Sequence, residues 1–235
     1  MSQKKVAVMQ PYLFPYLGYF QLVQAVDHFV FYDDVNFIKR GWINRNRILV
    51  NRNDSLFVVP LIKVSQNRLI DEVQIFYGKD YDKILKKIEF AYKKAPYFND
   101  VFKIVELIFS KQYRSIAEMA TDSIIKTIEY LNINKEFDLS SKKFSESKGM
   151  EKADRLIYIT KKLDFKNYVN PSGGAEIYEK EYFKERGVTL HLIKSHLGSY
   201  QQFSHNFISG LSIIDVLMFN SKEKVIEMLN NCELK

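Results

Sequence analysis

Asp33 and Asp34 are adjacent carboxylates that follow the apolar run 28–32, HFVFY. A carboxylate pair at a strand end can hold a metal ion or a ribose, or take a proton from a reacting group. Aspartate is also an ordinary turn former, but the position just beyond a strand favours chemistry. Shortly after them, Lys39, Arg40, Arg45 and Arg47 surround Trp42, the single tryptophan, with Asn44 and Asn46 between the arginines. Arginine forks bind phosphate and carboxylate through two parallel hydrogen bonds. An indole offers a stacking face to a base, a sugar or a guanidinium. A patch that served solubility alone would not need the two amides.

Three further stretches carry polar groups in suggestive places. The segment 10–18, QPYLFPYLG, lies between an apolar run and a helical pattern. Ligands of open α/β sheets bind beyond the carboxyl ends of strands, where helix N-termini attract anions. Gln10, Tyr12 and Gly18 are its candidates, with packing of the aromatics as the plain alternative. Ser172, Gly173 and Gly174 follow Asn170 and Pro171 after a short strand expected over 168–170, and their small size permits close approach to a ligand. Tyr200 and Gln201 lie near His196 and His205. His196 is a candidate acid or base. The histidines have no metal-ligand spacing, so no metal site is expected. Gly-x-Gly-x-x-Gly, Walker A and Gly-x-Ser-x-Gly motifs are absent from the chain. That disfavours a dinucleotide oxidoreductase, a P-loop enzyme and an α/β-hydrolase.

The elements that must position these residues alternate. Residues 5–10 read as a buried strand, 18–27 as a helix and 28–32 as a second strand, a βαβ unit with parallel strands. A hairpin is expected over 49–61, turning at 51–54, and another strand over 69–76. Residues 81–131 are helical in pattern and form an insertion or a cap on the sheet. Residues 150–163 continue as a helix, 189–193 as a strand, and 212–229 as a helical stretch broken near Asn220. The expected architecture is a single α/β domain over 1–235 with a parallel-sheet core.

The totals bound the function. The 235 residues carry a net charge of +7, which suits acidic or phosphorylated partners without choosing among them. The charges are scattered and form no long basic run, which argues against a nucleic-acid binder. One cysteine excludes a disulfide framework, and no apolar run reaches the length of a membrane span. A cytoplasmic protein is expected, with no membrane partner and with its oligomeric state open.

Several stretches together resemble the WbqC-like protein family. They are Met9 to Phe20; Asp27, Phe29 and Val30; Asp33-Asp34-Val35; Lys39; and Trp42 to Ile48. The similarity continues through Tyr168, Ser172-Gly173-Gly174, Tyr178, Gly187, Tyr200 to Phe203, and Leu211 to Asp215. The sequence departs from the family pattern at Asn36, where glutamine is expected, and at 207–210, where a Pro-Asn pair is expected. The resemblance implies a role in bacterial O-antigen or surface-polysaccharide (lipopolysaccharide) biosynthesis. It points to a transferase that forms an amide on a nucleotide-linked amino sugar, using an activated acyl or amino-acid donor. Lys39, Arg45 and Arg47 would hold phosphates, Trp42 would stack, and Asp33 or Asp34 would take the amine proton, or hold Mg²⁺ if ATP activates the acyl group. The order strand, Pro-rich loop, helix, strand-Asp is also similar to the HUP/nucleotidyltransferase-like type of fold. That leaves an ATP-using nucleotidyltransferase or adenylate-forming ligase as the alternative, although the histidine motif of those folds is missing.

Overall fold

The computed structural model describes residues 4–174 and 178–235. Its centre is a six-stranded sheet. Strand β1 (Lys5–Met9) leads through helix α1 (Leu17–Ala25) to β2 (His28–Phe31), and the two strands pair in parallel. A separate hairpin follows, β3 (Arg45–Val50) with β4 (Asn53–Val58). Its two turn residues, Asn51 and Arg52, have φ of 49° and 66°, the left-handed pair that a tight hairpin requires.

Three helices come next, α2 (Lys79–Tyr92), α3 (Phe98–Ser110) and α4 (Ile116–Tyr130). The chain then returns to the sheet as β5 (Glu136–Leu139) and turns through the short α5 (Ser140–Lys143) into α6 (Lys152–Lys162). The remainder is β6 (Asn167–Pro171), α7 (Lys180–Glu185), β7 (Thr189–Ser195), α8 (Ile213–Phe219), α9 (Lys222–Asn230) and β8 (Cys232–Leu234).

The strand order is β5-β2-β1-β6-β7-β8, with only β8 antiparallel to its neighbour. Strand period two explains how the sheet is covered on both sides. Val6, Val8, Val30, Tyr168 and Leu190 face the layer that holds α6 and α7. Ala7, Phe29, Phe31, Val169 and Ile193 face the opposite layer. There one apolar cluster continues from α1 through the hairpin to α2, α3 and α4. The chain leaves β1 in one direction for β2 and reaches β6 on its other side, so the order reverses beside β1. That crevice is where ligands of open parallel sheets bind.

The expected strand over 69–76 does not form. Ile70–Glu72 is a single tight helical turn. In place of a ladder, its neighbours form isolated bridges, Asn36 with Leu69 and Leu61 with Ile75. The backbone amides of Ile70 and Asp71 donate instead to the carbonyls of Val35 and Asp33, both at 3.0 Å. Strand character in the hairpin begins at Arg45, earlier than the expected start at residue 49.

Candidate functional site

A cleft of about 810 Å³ opens at the carboxyl ends of β1, β2 and β6, where the strand order reverses. Gln10 enters it from the end of β1, Tyr32 and Asp34 from the end of β2, and Tyr168 and Asn170 from β6. Arg155 reaches in from α6, and Lys148 and Lys152, both exposed, stand where that helix begins. Asp34 is the one carboxylate among the described residues that line it.

Asp34 is buried, at 5% exposure, and so is Arg155, at 3%. The guanidinium Nη2 donates to Asp34 Oδ2 at 2.6 Å, its Nε donates to Ser147 Oγ at 2.9 Å, and its Cζ lies 4.7 Å from the centre of the Tyr32 ring. A buried ion pair withstands desolvation only when further hydrogen bonds satisfy both partners. Here Ser147 and Ser140 do so, since Ser140 Oγ donates to Asp34 Oδ1. Burial raises the Tyr32 phenol above its ordinary pKa, and Arg155 partly offsets that shift.

Asp33 has a different role from its neighbour. Its carboxylate accepts from the Ser141 amide at 2.9 Å and from Ser141 Oγ at 2.6 Å, and its Oδ1 lies 3.0 Å from Ser140 Oγ, whose one proton it shares with the nearer Asp34 Oδ1. It therefore fastens the end of β2 to the start of α5. No group of three or more His, Cys, Asp or Glu among the described residues is arranged to hold a metal ion.

The Trp-Arg-Asn segment faces another hollow. Trp42 lines a pocket of about 200 Å³ with Tyr12, Pro15, Tyr16 and Asn46. Arg45 and Arg47 both lie over the indole, at 5.6 and 5.9 Å from its centre. Arg45 also donates to the carbonyls of Gly41 and Arg40, and Arg47 to Asp54 and to the carbonyl of Gly210. The two amides serve the backbone. Asn44 donates to Val59 O, and Asn46 donates to Leu13 O and Phe14 O. Phe14 sits at φ 42°, so Asn46 secures a left-handed residue in the loop after β1. Lys39 is exposed, and its side chain lines neither pocket.

Gly18 is a packing residue. A Cβ there would meet the Tyr16 ring at 2.5 Å and Ser195 Oγ at 3.1 Å. Ser172, Gly173 and Gly174 form a short turn after β6, with Ser172 and Gly173 exposed. His196 lies at the sheet's other side, where its Nε2 is 3.0 Å from Glu233 Oε1 of the edge strand β8. Gln201 is exposed.

Tyr200 belongs to a buried node that sequence reasoning did not find. Asp215, wholly buried, accepts from Tyr92 at 2.8 Å and from Tyr200 and Gln202 at 2.7 Å each. Tyr92 in turn accepts from the Leu49 amide at 2.9 Å. This node joins α2, the hairpin, α8 and the 200–208 loop. Desolvation raises the Asp215 carboxyl above its ordinary range even with those three donors.

Of the residues singled out in the sequence, the cleft therefore gathers Gln10 and Asp34. Asn170 stands at the head of the Ser-Gly-Gly stretch and Tyr178 among the residues of the family resemblance, whereas Tyr32, Lys148, Lys152 and Arg155 were missed. The one signal available for Tyr32 was its place at the end of the second strand. Arg155 falls among the scattered charges of an amphipathic helix and carries none.

A sequence model of the WbqC-like protein family matches residues 10–227. An uncharacterised protein of Mycobacterium tuberculosis, Rv1507c, is 27% identical over 233 residues, spanning 97% of this chain and 99% of its own. No solved structure matches the chain.

Proposed function

Since the chain belongs to the WbqC-like protein family, we propose that its cleft is the site of a transferase that forms an amide on a nucleotide-linked amino sugar. The observation that carries this reading is the buried Asp34–Arg155 pair in the strand-order crevice, with Lys148 and Lys152 at its mouth. The lysines suit the diphosphate of the substrate. Asn170 and Gln10 supply donors and acceptors of the kind that sugar hydroxyls require. Asp34 keeps lone pairs beyond those used by Ser140 and Arg155, and these suit the ammonium of the sugar.

In the reaction the bound ammonium first gives one proton to solvent, the neutral amine nitrogen then forms a bond to the acyl carbon, the bond from that carbon to its leaving group breaks with the electron pair going to the leaving group, and the second nitrogen proton passes to the Asp34 carboxylate. Arg155 acts as a positioning residue that holds this carboxylate in place. The donor is an activated acyl or amino-acid compound. If ATP performs the activation, it arrives as a substrate with its Mg²⁺, and its phosphates meet the same lysines.

The test incubates the protein with nucleotide-linked amino sugars, ATP, and glycine or an acyl-CoA, and follows mass. The expected product has the mass of the sugar nucleotide plus that of the carboxylic acid, less water. Asp34→Asn should lower the rate by about 100-fold or more, with the fold retained by circular dichroism. No product across the panel would overturn the reading.

The reversal of strand order beside β1 favours one second reading, an ATP-using nucleotidyltransferase or adenylate-forming ligase of HUP-like type. It predicts pyrophosphate release from ATP in the absence of any amine acceptor.

A further inference from the structure

The reaction proposed for the cleft leaves the Trp42 hollow without a role. Three aromatic rings bound it, those of Tyr12, Tyr16 and Trp42, with Pro15 beside them. Tyr16 and Trp42 are 37% and 38% exposed. None of the residues that line it carries a charge.

The polar atoms of these rings are uncommitted. The hydroxyls of Tyr12 and Tyr16 and the indole N–H of Trp42 have no hydrogen-bond partner among the described residues. The Tyr12 hydroxyl is not one of the polar atoms sealed from solvent, so it faces open space. Tyrosines elsewhere behave differently. Tyr19, Tyr81, Tyr92 and Tyr200 each donate their hydroxyl to a protein oxygen. Burial raises the Tyr12 phenol above its ordinary range, and the nearby Tyr16 raises it further. Burial raises Tyr16 as well, so both phenols stay protonated as donors and lie near each other.

The loop that presents the two tyrosines is strained and firmly held. Phe14 lies between them at φ 42°, a left-handed conformation that is costly for a bulky residue. Its amide donates to Ser123 Oγ at 3.0 Å, and its carbonyl accepts from Ser212 Oγ and Asn46 Nδ2 at 2.7 Å each. The Leu13 amide donates to Trp42 O at 3.2 Å and ties the loop to the indole segment. Backbone strain fixed in this way clusters at ligand clamps.

The lining decides the chemistry of an occupant. A cation is disfavoured, because Arg45 and Arg47 already lie against the indole and no carboxylate lines the hollow. An anion finds both guanidiniums engaged, Arg45 by the carbonyls of Gly41 and Arg40, and Arg47 by Asp54 and the carbonyl of Gly210. The volume of about 200 Å³ is below the roughly 300–1,000 Å³ of sites for larger ligands, so a single ring fits. That ring must lay C–H groups on aromatic faces and offer hydroxyls to two phenols and an indole N–H. A pyranose does both.

We propose that this hollow is a binding site for one neutral pyranose unit, stacked on Trp42 and hydrogen-bonded to the Tyr12 and Tyr16 hydroxyls. Arg45 and Arg47 act as positioning residues that hold the indole. Binding here does not depend on the reaction of the cleft, so it is measured without turnover.

Trp42 is the only tryptophan, and its fluorescence therefore reports on the hollow. The whole protein is titrated with the methyl glycosides of glucose, galactose and N-acetylglucosamine. Tetramethylammonium chloride and triproline amide serve as a cationic and a peptide probe, and saturation-transfer NMR follows every ligand. At least one glycoside should bind saturably with a Kd on the order of 1 mM, which is what a ligand of about a dozen heavy atoms supplies. It should bind at least about tenfold tighter than either other probe. Tyr12→Phe and Tyr16→Phe should each weaken it at least about threefold and leave the urea midpoint unchanged, because the lost hydroxyl bonds nothing in the protein. Trp42→Leu, followed by NMR, should abolish saturable binding. No saturable response to any of the three glycosides, equal or tighter binding of tetramethylammonium or triproline, or full affinity in both tyrosine variants would each overturn the proposal.

Discussion

Asp33 and Asp34 are chemically identical neighbours, and the protein gives them separate work. Ser141 engages the first through its amide and its hydroxyl, while Arg155 and Ser140 leave the second with free lone pairs in a cleft. The dependence of Asp34 on Arg155 is measurable. Arg155→Met should destabilise the protein by about 3–5 kcal/mol, since it strands a buried carboxylate. The double variant Asp34→Leu with Arg155→Met should recover part of that loss, because neither charge is then left alone. Urea unfolding of the three proteins decides the matter, and equal stability of single and double variants would refute the pairing energy. The pair of carboxylates was legible in the sequence because it follows an apolar run. Its division of labour was not, since the deciding partners lie more than 100 positions away at Ser140, Ser141 and Arg155.

Helices and strands with a clean period were read correctly from their side chains. The KVAVM and HFVF runs pair in parallel, α3, α4 and α6 fall within the stretches read as helical, and α2 begins at Lys79, just before the expected start at 81. Segment 69–76 misled because its apolar side chains imitate a strand while the amides of Ile70 and Asp71 bond to the backbone at 35 and 33. Strand β8 has three residues and leaves no pattern to find. Arg45 and Arg47 looked like a polar patch because long charged side chains alternate on one face of β3, over the Trp42 ring.

The Asp215 node makes a prediction about how these elements are joined. Asp215→Asn puts an NH₂ group where a carboxylate oxygen accepted from Tyr200 or Gln202, and it should destabilise by about 1–3 kcal/mol. The pH dependence has a definite sign. An acid raised in the folded state keeps its proton where the unfolded chain has lost it. Its stabilising contribution is full below the ordinary aspartate value, roughly pH 4, and is lost as pH rises through the raised value of Asp215. The stability gap between the natural protein and Asp215→Asn should therefore narrow as pH rises across that window. Urea midpoints taken at a series of pH values would show it, and a widening gap would contradict it.

One apolar cluster joins the sheet to the helices of 79–130 and to the hairpin. We expect these parts to unfold together. Trp42 is the only tryptophan and reports on the hairpin side, while far-ultraviolet dichroism reports mainly on the helices. The two signals should give coincident urea transitions, the mark of a single cooperative unit. Two separated midpoints would mean that the helical middle is a domain of its own.

The central place of β1 carries a consequence for how the protein is made. Its neighbour β2 follows at once, but its other neighbour, β6, trails it by about 160 positions. At ordinary ribosomal rates β1 thus waits on the order of ten to thirty seconds with one row of backbone groups unpaired. An open strand edge is a template for wrong partners, and here the open edge is the future wall of the cleft. The growing chain passes through its most aggregation-prone stage before it can bind any ligand there. A truncation ending near residue 150 would be arrested in that state, and chaperone demand should fall sharply once β6 is made.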